Sequence, residues 1–296
     1  IRRNDAPGIG MPYPCVMQSN NPVLSRYEPK KGAAGDAGYA YNEGVSAYQE
    51  AATGGSGASV DAAFQQVTAA GGARLTINDV IVKTFAVFAV TVIFAVVGWN
   101  LAPSMPWLLW VGLIGGLGLG FVNALKKKVS PPLVLLYAVF QGVLLGAISL
   151  MYNDMAIANE YPGIVLQAVV ATMTTFGVML TLYLTGIVKV TKKFQSVMMV
   201  ALVSYMVLAL ASLVAAMFGV GDGWGFYGVG FLGILIAVAG VLIASFFLLL
   251  DFEAISQGIK AGAPEQESWR MAFGLLVTLI WLYLEFLRLL SLLNRS

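Results

Sequence analysis

Met271–Leu293 reads MAFGLLVTLIWLYLEFLRLLSLL, and this stretch decides what kind of protein the chain is. It is long enough for a helix to cross the ~30 Å hydrocarbon core of a bilayer, which takes about 20 residues. Yet it carries Glu285 and Arg288. A charge at the centre of a membrane helix costs roughly 2.5–3.5 kcal/mol on insertion scales, so neither side chain is expected to face lipid. The preceding apolar run, 231–250, ends directly in Asp251. Two carboxylates therefore fall on consecutive membrane helices, in a chain with almost no other intramembrane charge.

Composition supports a membrane protein. Hydrophobic residues make up 58% of the 296 and charged residues only 11%, outside the range of ordinary globular domains. A net charge of +2 with no basic stripe argues against nucleic-acid binding. The single cysteine, Cys15, excludes an internal disulfide framework and any CxxC metal site. Histidine is absent, so proton chemistry falls to carboxylates. There is no HExxH, no GxSxG and no nucleophile–base pair, so an enzyme is not expected, nor a resident cofactor.

The fold expected is an all-α integral membrane protein, a seven-transmembrane-helix bundle over residues 75–296 behind a long polar N-terminal tail. Apolar runs near 80–101, 107–125, 133–151, 164–187, 197–219, 229–250 and 271–293 are each long enough to span. No alternating ten-residue pattern suggests a barrel. The fourth run, with Thr172, Thr174, Thr175, Thr181 and Tyr183, reads as polar enough for the bundle interior. Lys126–Lys128, Lys189, Lys192, Lys193, Lys260 and Arg270 lie in alternate connections, while those around 102–106, 152–163 and 220–228 hold no Lys or Arg. The positive-inside rule then predicts a cytoplasmic amino terminus and an external carboxyl terminus.

Residues 1–74 are polar and low in complexity, with runs such as GGSG at 54–57, and are expected to stay disordered or to order on a partner. A short helix over 60–70 is the one element expected there. No signal peptide opens the chain; Met17 makes a plausible natural start, with 1–16 an upstream extension.

Gly112, Gly116 and Gly120 recur every four residues, and Gly142 and Gly146 repeat the spacing, which predicts close helix–helix approach. Gln141, inside the third span, either hydrogen-bonds a neighbouring helix or belongs to a polar path with the acids. Lys83 either snorkels to the interface or is a counter-ion to an internal acid. Glu285 and Arg288, three residues apart, share a helix face and form an ion pair on the plainest reading. Asp251 reads either as a solvated helix end or as one half of a gate. Two desolvated carboxylates that approach one another share a proton and titrate as a pair. Such a pair latches the helices while protonated and loosens them when ionised, making Asp251 and Glu285 a proton-sensing gate and candidate oxygen ligands for a passing Ca²⁺. For the acids to meet, the sixth helix must continue past Asp251 or the last must begin well below the membrane.

These residues also carry a resemblance. LLLDFEAI at 248–255 and WLYLEFLRLLSLL at 281–293 resemble the paired acidic signatures of the Bax inhibitor family, the transmembrane Bax inhibitor motif group. TINDVIVKT at 76–84, QGVLLGAIS at 141–149 and LYLTGIVKVTKKF at 182–194 resemble its bacterial, actinobacterial-type branch. The likeness covers about 75–293 and leaves the tail outside. It implies a central last helix wrapped by the others, a bacterial plasma-membrane location and a pH-sensitive Ca²⁺ leak gated by an acid pair. Asp251 matches the first acid and Glu285 the second, here Glu in place of Asp. The second span lacks the arginine that some relatives use to latch the acids, so that latch is absent or is replaced by Arg288 or Lys83. A second implied role is a non-conducting regulator or accessory subunit of a larger membrane complex, such as one built on a membrane-anchored AAA-type protease, contacted through the tail.

Overall fold

Residues 74–126, 128–221, 225–228 and 230–294 are described in a computed structural model of the chain. They form seven helices of membrane-spanning length: α1 (Ile77–Leu101), α2 (Leu108–Leu125), α3 (Pro131–Ala158), α4 (Ile164–Leu184), α5 (Lys192–Met217), α6 (Gly230–Lys260) and α7 (Glu267–Leu293). A short 3₁₀ turn, Gly225–Gly228, precedes α6. The expected helix at 60–70, and the rest of the tail up to residue 73, lie outside the described residues.

Local chemistry sets where these helices begin. Thr76 and Asp79 form a capping box at the start of α1: the Asp79 amide donates to the Thr76 hydroxyl at 3.3 Å, and the Thr76 amide donates to the Asp79 carboxylate at 2.9 Å. Thr191 caps α5 through the Phe194 amide at 3.2 Å, and Pro131 opens α3 where its missing N–H is not needed. Hydropathy underestimates two helices. It ends the third span at 151 and the sixth at 250, where polar residues appear, but α3 runs on to Ala158 and α6 to Lys260. Backbone hydrogen bonding continues as the helix emerges from the apolar layer, and a hydropathy window cannot register that.

The last helix is central. Leu276 and Ile280 of α7 pack with Val87 of α1 and with Val134, Tyr137, Ala138 and Leu145 of α3. On its other side, Leu275, Leu279 and Leu282 pack with Ala244, Leu248, Leu249 and Phe252 of α6, with Phe176 of α4 beside them. Leu287 meets Ile164 and Ala168 of α4.

Glycines set the spacing of the first three helices. A methyl group at Gly142 would stand 2.5 Å from the Thr91 carbonyl oxygen, and one at Gly146 would overlap the Ala95 carbonyl. On α2, a methyl at Gly112 would stand 2.9 Å from the Leu144 side chain. The glycines of α3 are thus where α1 meets it almost backbone to backbone, while the α2 groove takes the Gln141 and Tyr137 side chains at Gly116 and Gly120.

The fourth span departs from expectation. Its buried residues are Ile164, Ala168 and Thr172, while Thr174 and Thr181 are exposed. The hydroxyls of Thr172 and Thr181 donate to the carbonyls of Ala168 at 2.7 Å and Gly177 at 2.8 Å. A threonine bonded to its own helix offers lipid mainly a methyl group, so threonine content does not demand an interior position. On α5 the buried residues are Met198, Tyr205 and Ser212, a single stripe at seven-residue spacing.

Candidate functional site

The two acid-bearing helices pack antiparallel, and two glycines report their register. A methyl group at Gly240 of α6 would lie 2.6 Å from Glu285 Oε2, and one at Gly274 of α7 would lie 3.8 Å from Asp251 Oδ1. Glu285 is therefore level with Gly240, and Asp251 with Gly274, eleven residues along each helix. At 1.5 Å per residue the acids stand about 16 Å apart along the seam. Both extensions that a meeting required are present, α6 past Asp251 and α7 from Glu267, yet the carboxylates do not meet. This corrects the expected contact: at that separation Asp251 and Glu285 neither share a proton directly nor ligate one ion together. Among the described residues no cluster of three or more acidic, histidine or cysteine side chains is placed to hold a metal.

Glu285 is nearly fully buried, with 4% exposure, and all its partners are protein groups. Its Oε1 accepts from the Tyr205 hydroxyl at 2.6 Å and from the Trp281 indole N–H at 3.0 Å. Its Oε2 is ion-paired with Arg288 one turn on. Arg288 also donates to the Tyr205 oxygen at 2.7 Å, and its guanidinium stacks over the Tyr227 ring at 4.2 Å. Tyr205 thus donates to the acid and accepts from the base, joining α5 to α7. Tyr227 brings the 3₁₀ turn before α6 into the same cluster. A charge-neutral, hydrogen-bonded pair is the form in which ions are tolerated at this depth. The latch role left to Arg288 or Lys83 has its geometric counterpart in Arg288.

Asp251 differs in kind. It lies between the core residues Leu249 and Phe252, facing Gly274 and Thr278 of α7. Its Oδ2 is buried with no hydrogen-bond partner. The residue as a whole is half-buried, so it is this oxygen that a solvated helix end does not describe. One turn-face away, Glu253 accepts from the Tyr183 hydroxyl at 3.0 Å and from Gln257 at 2.9 Å.

The supporting residues separate from the acids. A methyl at Gly116 of α2 would stand 2.5 Å from Gln141 Oε1, so Gln141 fills a notch in α2 and hydrogen-bonds neither carboxylate. Lys83 is a counter-ion, but to Glu265 in the α6–α7 connection, at 2.7 Å. It also donates to Ser268 at 2.8 Å, with the Trp269 ring 5.9 Å away. The Leu75 amide donates to the Ala263 carbonyl at 2.8 Å, so the start of α1 is held to that same connection. Tyr205, Trp281, Tyr227 and Thr278 escaped the sequence reading. Tyr205 had one signal, as the only aromatic residue between Phe194 and Phe218.

Seven membrane-length helices, the last of them central and bearing both an acid and an arginine, define a multi-pass membrane protein. A family model described as Bax inhibitor 1 like matches residues 21–295, and the chain belongs to that family. The match starts well inside the tail, so the shared region is wider than the 75–293 that the motifs alone suggested. No curated protein matches the chain.

Proposed function

We propose that the protein is a proton-regulated cation leak, with Ca²⁺ as the cargo ion, whose path follows the seam between α6 and α7. The observation that carries this reading is Asp251, a half-buried residue of that seam whose Oδ2 is buried and left without a hydrogen-bond partner. An ionised carboxylate in a dry seam is costly, so the seam closes around the protonated acid. On ionisation the acid draws in water and a cation. The Glu285–Arg288–Tyr205 cluster lies further along the same seam and is already neutralised, which suits a plug in series with Asp251 in place of a proton-sharing partner. Leak rises with pH on this scheme. We place the protein in a bacterial plasma membrane with the lysine-bearing connections and the amino terminus in the cytoplasm, on the positive-inside rule.

The test is Ca²⁺ flux through the purified full chain in vesicles between about pH 6 and about pH 8, a window chosen to bracket a titrating gate. Asp251→Asn should fix the seam in its closed, uncharged form and remove the rise in flux with pH. Flux that matches the unsubstituted protein at every pH would end the proposal.

A further inference from the structure

A cleft of about 610 Å³ opens between α1 and α4, with α3 and α7 as its floor. That volume lies within the ~300–1,000 Å³ of ordinary small-ligand sites. On α1 it runs from Phe88 to Asn100, twelve residues or about 18 Å of helix.

The lining determines what chemistry fits. Its four hydroxyls are all engaged within the protein: Thr91 donates to the Val87 carbonyl at 3.0 Å, Thr172 to Ala168, and Ser149 and Tyr283 bond each other at 2.6 Å. No charged residue contributes to the wall. An ion, a sugar or a nucleotide would find nothing there to replace its hydration, and water would face apolar walls. Hydrocarbon needs no such replacement.

The cleft is continuous with the membrane-facing surface. Its rims, Val92 and Val96 of α1 and Val169 and Met173 of α4, are exposed side chains on helices of membrane-spanning length. Trp99 and Asn100 line the end of the cleft nearest the α1–α2 connection, and tryptophan belongs at the headgroup level of a bilayer. We propose that this cleft is a binding site for one acyl chain of a bilayer lipid, with the headgroup at the Trp99–Asn100 end and the tail running toward Phe88. The tail lies against Leu276 and Ile280 of α7, which also line the cleft, while Glu285 of that helix faces α6. The site is independent of whether the α6–α7 seam conducts.

The experiment places the full chain in phosphatidylcholine vesicles doped with a phosphatidylcholine that carries a mid-chain diazirine. Adducts are mapped by peptide after irradiation. The half-buried floor residue Tyr283 should be labelled at least as strongly as Ile114 of α2 or Val203 of α5, although both of those are far more exposed. Val169→Trp, or the milder Met173→Phe, should fill the cleft and abolish floor labelling while leaving that of α2 and α5 unchanged. The proposal is overturned by labelling of Tyr283 weaker than at Ile114 and Val203, by labelling that a cleft-filling variant leaves intact, or by cross-links between two copies through these rims. The unsubstituted protein alone decides the first of these, so a variant that fails to fold does not rescue the idea.

Discussion

Tyr205→Phe removes one oxygen and should loosen a whole helix. The hydroxyl lies 2.6 Å from Glu285 Oε1 and 2.7 Å from the Arg288 guanidinium, so one atom serves both members of a buried ion pair. Interhelical hydrogen bonds in membrane proteins average about 0.6 kcal/mol, because the separated helices find other partners. Bonds to charged groups are worth roughly 1.5–3 kcal/mol in soluble proteins. With two charged partners but a membrane reference state, we expect a loss of about 1–2 kcal/mol. Packing should change little, since phenylalanine keeps the ring beside Trp281, now at 5.8 Å between centroids. The measurement is reversible unfolding in mixed micelles, run as a cycle with the Glu285→Gln/Arg288→Met double variant. In that background the same substitution should cost close to nothing, because the ions that the hydroxyl bonds are gone. Its buried stripe gives α5 few other attachments, so a spin-label distance from α5 to α6 should also broaden in Tyr205→Phe. A stability change below about 0.5 kcal/mol, the scale of a neutral surface substitution, would refute the reasoning.

Three further outcomes follow from the packing. Glu285→Gln alone leaves Arg288 buried without its counter-charge and should cost about 3–5 kcal/mol, most of it recovered when Arg288→Met is added, as read by the same unfolding assay. Gly146→Leu drives a side chain into the Ala95 carbonyl and should destabilise by more than the ~1–3 kcal/mol of ordinary overpacking, with loss of monodisperse protein on size exclusion. Lys83→Met should cost only about 0.5–1 kcal/mol and lose its effect in high salt, because the Glu265 side chain is 44% exposed and its pairing is screened.

The spans were legible because each is a run of apolar residues longer than any soluble core requires, and alternating lysines make a pattern that local packing does not disturb. Glycine spacing likewise carried through to real notches at Gly112, Gly142 and Gly146. The relation between the acids was not legible. It depends on the register of two antiparallel helices, and the eleven-residue offset comes from how far α6 runs on before the turn at 261–266. Neither quantity is a property of the residues that carry the charge. Arg288 pairing with Glu285 followed from i,i+3 geometry alone, whereas Tyr205, eighty residues away, could enter only through the fold. The threonines of α4 misled for a further reason: a hydroxyl that bonds its own helix behaves as an apolar group, and hydropathy scores it as polar.

The glycine notches also have a mechanical meaning. Where α1 and α3 meet main chain to main chain, sliding one helix past the other would drive carbonyl groups into Cα atoms, so the two form a stiff block. Opposite them, α5 hangs on a single line of side chains. A bilayer that thins, thickens or bends applies its load to the whole perimeter, but the strain collects where the structure yields. That edge carries the tyrosine that clasps the ion pair of the central helix, so a load that displaced α5 would reach the pair through a single hydroxyl.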